Sequence, residues 1–217
     1  MSIKENLEKI KKTIPEDVTL VAVSKTKPTE AILEAYHSGH RIFGENKIQE
    51  MAEKHAALPK DILWHMIGHV QRNKVKYMAP FVNLIHGVDS YKLLQEINKQ
   101  AKKNNRAINC LLQIKIAAED TKFGLNSTEA LQILQHDTFK TLNNIQVVGV
   151  MGMATFTNNT TQVTQEFKTL KTVFNQLKQV HADLNIISMG MSGDYELAIQ
   201  CGSNMIRVGS SIFGARN

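Results

Sequence analysis

Taken as a pattern of apolar and polar positions, the chain alternates short strand-like runs with helical stretches almost from end to end. Ile3, Leu7 and Ile10 recur at helical spacing among Lys and Glu, which predicts an amphipathic opening helix over 2–12 that stops before Pro15. Residues 18–24 then form a run apolar on both faces, as expected of a parallel strand covered on both sides. Pro28 suits the first turn of a helix, which Ile32, Leu33, Ala35 and Tyr36 carry to Gly39. The unit recurs. Further strands are predicted over 41–43, 62–67, 82–88, 108–116, 144–150, 184–188 and 205–208. Helices are predicted over 48–57 and 74–79, from Tyr91, from Ser127, and over 161–180, where Phe167, Leu170, Val173, Phe174 and Leu177 share one face. Eight strand-then-helix units within one domain's length predict an α/β chain folded as a single (β/α)8 TIM barrel over 1–217 rather than an open sheet.

Composition removes several classes. With 42% hydrophobic and 21% charged residues the chain is too apolar to be disordered. Its net charge of +6 suggests nucleic acid, but the lysines are spread over polar helix faces with no interleaved aromatics, so a solvated basic surface is expected and no nucleic-acid partner. No apolar run approaches the roughly 20 residues of a membrane span, and residues 1–6 lack a signal-peptide core, which points to a cytoplasmic protein with no membrane partner. Cys110 and Cys201 have neither a CxxC partner nor a matching His spacing, and both are expected to be reduced.

In such barrels the chemistry lies at the C-terminal ends of the strands, often with a phosphate site in the loops after the seventh and eighth. Here those loops are the Gly-Ser turns within 187–194 and 205–214, where glycine admits close backbone approach and serine hydroxyls and helix-start N–H groups donate. At the end of the first strand, alternation puts Lys25 on the face of Val21 and Val23, pointing inward. Desolvation there favours the neutral amine, ready to attack a carbonyl, whereas Lys27 before Pro28 is expected at the surface. A lysine opposite a phosphate cradle suggests a Schiff base to a phosphorylated aldehyde. Arg207, between Ile206 and Val208, must meet a ligand such as a pyridine nitrogen, a barrel carbonyl, or a carboxylate such as Glu45. Asn46, His65, Gly68, His86, Lys122 and residues 151–154 are further strand-end candidates. His65 fits a hydrogen-bonded core histidine as well as a catalytic one, and no metal, dinucleotide or P-loop pattern occurs.

With those residues assembled, the chain resembles the YggS/PROSC family of pyridoxal 5′-phosphate (PLP) homeostasis proteins. The resemblance rests on 21–28, Phe43-Gly44-Glu45-Asn46, Trp64-His65-Met66-Ile67-Gly68 with 71–74, Lys122-Phe123-Gly124, Gly149-Val150-Met151, 190–194 and 207–216. It departs at His69-Val70, where the family has Leu after the Ile-Gly pair. The resemblance implies a barrel like the N-terminal domain of alanine racemase, PLP on Lys25, Arg207 near the ring nitrogen, phosphate held by Ser192, Gly193, Gly209 and Ser210, and Asn46 and Met151 at the cofactor site. It further implies cofactor supply or buffering for apo PLP-dependent enzymes with little or no catalysis, in a monomer or weak dimer. Racemases of this kind carry a second domain with a catalytic tyrosine; a chain ending at Asn217 is expected to leave the cofactor open to solvent. A low-activity amino-acid racemase with Lys25 as one base and a water or a residue such as His65 as the other, and a Schiff-base aldolase on a sugar phosphate, are the alternatives.

Overall fold

The computed structural model describes residues 2–118 and 123–214. Within them the chain opens on α1 (Ile3–Thr13), started by a capping box in which Ser2 and Glu5 each satisfy the other's backbone N–H. The strands are β1 (Thr19–Val23), β2 (Ile42–Glu45), β3 (Leu63–Met66), β4 (Leu84–Val88), β5 (Ile108–Gln113), β6 (Ile145–Met151), β7 (Ile186–Ser188) and β8 (Met205–Val208). Each pairs in parallel with its successor and β8 returns to β1, closing the eight into the expected barrel. Between and after them run α2 (Thr29–His37), α3 (Ile48–Ala57), α4 (Val75–Met78), α5 (Tyr91–Lys103), α6 (Ser127–Gln135), α7 (Thr160–Val180), α8 (Tyr195–Gln200) and α9 (Ser210–Phe213). Ser90, Asn126 and Asn159 accept backbone N–H bonds at the starts of α5, α6 and α7.

Strand alternation sorts the side chains into two apolar regions. Outward residues such as Ala22, Phe43, Trp64, Ile85, Leu112, Val150, Ile187 and Ile206 pack with the helices into one large core. Inward residues Val21, Leu84, Leu111, Met151 and Met205 fill the barrel axis as a separate buried apolar layer. Phe167, Leu170, Val173, Phe174 and Leu177 of α7 are buried as their spacing requires. Among the described residues no helix is long and apolar enough to cross a membrane. Cys110 is buried, Cys201 half-buried, and neither forms a disulfide.

Two strand ends differ from the expected bounds for identifiable reasons. β2 runs on through Gly44 and Glu45, which read as a turn. A side chain at Gly44 would press on Val21 Cγ1 at 3.0 Å, so this glycine serves strand packing rather than a bend. β5 stops at Gln113 because Leu125 N donates to the Gln113 carbonyl, and Ile114 bridges to Leu125 instead of continuing the ladder.

Candidate functional site

The C-terminal ends of the strands surround a cavity of about 780 Å³, lined among others by Lys25, Asn46, Ser192, Gly193, Arg207, Gly209 and Ser210. Seven of the eight residues expected at the cofactor site therefore meet. Met151 does not line the cavity; it is fully buried among Val21, Leu84, Leu111 and Met205, one layer below. Lys27 was expected at the surface, yet it is half-buried and lines the same cavity. Lys122, Ala215 and Arg216 lie outside the described residues.

Lys25 is half-buried in a tight turn, Ser24 to Lys27, closed by the Lys27 N–H on the Ser24 carbonyl at 3.0 Å. The third residue, Thr26, has φ of 63°, which such a turn demands and which costs a β-branched residue about 1–2 kcal/mol. Val21 pairs in register with Arg207, so both point inward and Lys25 continues their face.

Beside the Lys25 turn, on the neighbouring strands, the two Gly-Ser loops are tied together. Gly209 N donates to Ser192 Oγ at 3.1 Å, and Arg207 N donates to the Gly190 carbonyl at 2.9 Å. Gly190 turns the first loop at φ of 96°, where a side chain would collide with Ala198 Cβ at 2.7 Å. Asp194 Oδ1 accepts from Met191 N at 2.6 Å and fixes the loop's far end. Burial raises the Asp194 carboxyl above its ordinary pKa, against the pull of the Met191 N–H and the Arg207 cation.

Arg207 is buried, and burial lowers its guanidinium to about 10, so it remains a cation at neutral pH. Its Nη1 donates to Ser188 Oγ at 2.6 Å and its Nη2 to the Gly152 carbonyl at 3.0 Å. Glu45, the carboxylate weighed as its partner, lies on the other side of the barrel wall, facing outward, and pairs with Lys54. Beyond Ser188 the row continues: His86 Nδ1 lies 3.0 Å from Ser188 Oγ and His86 Nε2 lies 3.1 Å from His65 Nδ1. One direction satisfies every contact. Ser188 accepts from arginine and donates to His86, and His86 donates onward to His65. Burial pushes the His65 imidazole down to about 4 and His86 well below its ordinary value, the latter with help from the charges of His65 and Arg207. His65 and His86 are thus neutral struts beneath Arg207, and neither lines the cavity.

This row was illegible in the sequence because its contacts span 21, 102 and 19 residues. Also missed was Glu166 of α7, which accepts from Thr155 N at 2.6 Å and Thr155 Oγ1 at 2.7 Å and so braces the cavity-lining loop after β6. Phe123 and Phe156 line the cavity and are 61% and 94% exposed, an aromatic rim at its entrance.

The site fits a phosphorylated pyridine aldehyde on observations of its own. Its volume lies in the range of small-cofactor sites. The buried Asn46 Oδ1 has no hydrogen-bond partner and awaits a donor from a bound molecule. At Gly209 any side chain would press on Val23 at 3.3 Å, while Gly193 opens onto free space, as an anion-holding loop requires.

Comparison with known proteins agrees. The family described as "Alanine racemase, N-terminal domain" matches residues 1–217. A protein of Haemophilus influenzae named "Pyridoxal phosphate homeostasis protein" is 37% identical, over 100% of this chain and 97% of its own. The chain belongs to this family of barrels. The human protein of the same name is 39% identical over 91% of this chain and 76% of its own length. Among solved structures, PipY of Synechococcus elongatus superposes with a TM-score of 0.93 without PLP (34% identity, 98% of this chain, 100% of that one) and 0.90 with PLP bound (33% identity, the same coverage). Alanine racemase of Clostridium difficile, 15% identical, shares the fold at a TM-score of 0.80 over 99% of this chain and 56% of that one.

The neutral histidine pair has a consequence for stability. Between about pH 6.5 and 4 the unfolded chain binds protons that folded His65 does not, so stability falls as the pH drops through that window. His65 alone is expected to cost about 2 kcal/mol between pH 7 and 5. Urea unfolding across that range checks it. Replacing His65→Asn, which cannot charge, should flatten the slope by that amount; an unchanged slope would assign the acid sensitivity elsewhere.

Proposed function

We propose that the chain, as a single barrel domain over 1–217, binds PLP as a Schiff base on Lys25 and acts in intracellular PLP homeostasis, buffering or supplying the cofactor with little or no catalysis. The observation that carries this reading is the convergence of Lys25, Arg207 and the tied Ser192–Gly209 loops on one cavity. PLP-bound PipY and the homeostasis proteins named above support the choice of ligand. When bound, PLP supplies an aldehyde for an amine and an electron-withdrawing ring.

Each residue then has a task. Lys25 provides the amine. Ser192, Gly193, Gly209 and Ser210 hold the phosphate through hydroxyl and backbone N–H donors. Asn46 accepts from the ligand with its unpartnered oxygen. Arg207 presents a fixed cation to the ring nitrogen, disfavouring its protonation and so weakening the ring as an electron sink. That choice suits a carrier better than a racemase. In the racemase alternative His65 is not available as the second base, because it is buried behind His86 and away from the cavity, which leaves that role to a water. Apo PLP-dependent enzymes are the partners this role implies, reached through the open cavity mouth.

The test is the visible spectrum of the purified protein with PLP, followed by borohydride reduction and mass mapping. A yellow protein with the modified mass on the Lys25 peptide is expected. A protein that stays colourless and unmodified would overturn the ligand and return the cradle to a sugar phosphate. Interconversion of alanine or serine enantiomers, lost in Lys25→Ala, would replace the carrier by the racemase.

A further inference from the structure

Behind the barrel wall, on the side away from the cavity, four residues form a compact charged cluster around the Lys25 turn. Lys54 of α3, only 8% exposed at its side chain, donates from Nζ to the Ser24 carbonyl at 2.8 Å, to Glu45 Oε1 at 2.8 Å and to Glu50 Oε1 at 2.7 Å. Ser24 Oγ also donates to Glu45 Oε1, at 2.6 Å. Glu50 Oε1 in turn accepts the Thr26 backbone N–H at 2.6 Å. The cluster therefore grips the turn at both of its flanks: the carbonyl before Lys25 and the amide after it.

A buried ammonium between two carboxylates is a costly arrangement that contributes little net stability to a barrel already closed by eight strands. Its geometry says what it does contribute. Thr26 occupies a left-handed backbone conformation that a β-branched residue avoids, and such strain persists only where its surroundings over-determine it. Here the surroundings are the Glu50 carboxylate on the Thr26 N–H and the Lys54 ammonium on the Ser24 carbonyl. Burial works to raise the carboxyls of Glu45 and Glu50; at Glu50 the Lys54 and Thr26 donors prevail and hold it below its ordinary value, so it stays an anion able to anchor the amide.

We infer that Lys54, acting through Glu50 and Glu45, is a positioning residue for Lys25: it locks the strained Ser24–Lys27 turn so that the amine is held toward the cavity before ligand arrives. This rests on the reading of Lys25 as the covalent anchor. Preorganisation of this kind favours a ligand that reacts with the amine and is indifferent to one that only fills the cradle.

Two phosphorylated pyridines separate these cases. PLP carries the aldehyde; pyridoxine 5′-phosphate has the same ring and phosphate without it. In the parent protein PLP is expected to bind more tightly than pyridoxine 5′-phosphate. In Lys54→Met, and in Glu50→Met, which removes the acceptor of the Thr26 N–H while leaving Lys54 paired with Glu45, that preference should shrink by roughly tenfold, the scale of one lost hydrogen bond, with pyridoxine 5′-phosphate affinity unchanged. Lys54→Arg, which keeps the cation, should recover part of the preference. Amide exchange supplies a direct readout without ligand: the Thr26 N–H is slow in the parent and fast in Glu50→Met, which has no acceptor to offer it. A preference that survives both variants, or a Thr26 amide equally fast in the parent, would sink the positioning role while leaving Lys25 as the anchor. Equal loss of affinity for both ligands would reduce Lys54 to a structural residue and overturn the inference. Equal affinities in the parent would remove Lys25 as anchor and the inference with it.

Discussion

A Lys25→Ala protein is expected to fold as the parent does and to yield no borohydride-fixed cofactor on any peptide. The half-buried side chain sits in a turn at the cavity mouth, and neither core cluster includes it, so the change in unfolding free energy should stay within about 1 kcal/mol. Noncovalent occupation of the cradle should survive, since Ser192, Gly209 and Arg207 are untouched, and PLP affinity should fall to near that of pyridoxine 5′-phosphate. Urea unfolding, titration with both ligands and mass mapping after reduction give the three readings. A modified mass that persists in the variant would move the anchor to another lysine, with Lys27, on the same cavity, the first to examine.

Arg207→Glu should act in the opposite manner, severely on the fold and then on the ligand. The guanidinium is buried and donates to the Ser188 hydroxyl and the Gly152 carbonyl. A carboxylate in its place cannot donate to that carbonyl and is repelled by it, leaving a buried charge without a partner. The expected loss is about 3–5 kcal/mol. Ser188 would turn its hydroxyl toward the new carboxylate and away from His86, breaking the row to His65. Urea unfolding measures the first effect. If the variant folds with PLP bound, its absorption band should move to longer wavelength, since an anion beside the ring nitrogen favours the protonated ring. A loss under about 1 kcal/mol with an unchanged band would mean that Arg207 neither holds the fold nor faces the ring.

How much of this was legible in the chain depended on whether neighbours in sequence were neighbours in space. β8 was expected at its observed bounds because Ile206 and Val208 are apolar outward while Met205 and Arg207 look inward, a period-two signal contained in four residues. The Gly-Ser loops that line the cavity were legible for the same reason: glycine and serine directly after a strand are a local pattern. Lys25 needed only the alternation of β1. Glu45 lies beyond the strand expected over 41–43 because a charged residue after glycine resembles a turn, and its counter-charge comes from Lys54, on the next helix. The His65, His86 and Ser188 row depends on barrel register between strands far apart in sequence, which no local pattern carries. Met151 shares the inward parity of the site but sits too deep to line the cavity, a difference of depth along the barrel axis rather than of face.

The pairing of β1 with β8 also bears on how the protein comes into being. Lys25 belongs to the first strand, whereas Ser192, Arg207, Gly209 and Ser210 belong to the last two units, and Asn6 of α1 donates to the Ile212 carbonyl beyond β8. During synthesis Lys25 emerges from the ribosome long before the loops after β7 and β8. Under the proposed function a nascent chain therefore displays Lys25 without these loops and is expected not to retain the ligand. Only the act that shuts the barrel brings Lys25 and those loops together, so the proposed function predicts a capacity to hold ligand that rises with finished molecules and not with those still being translated.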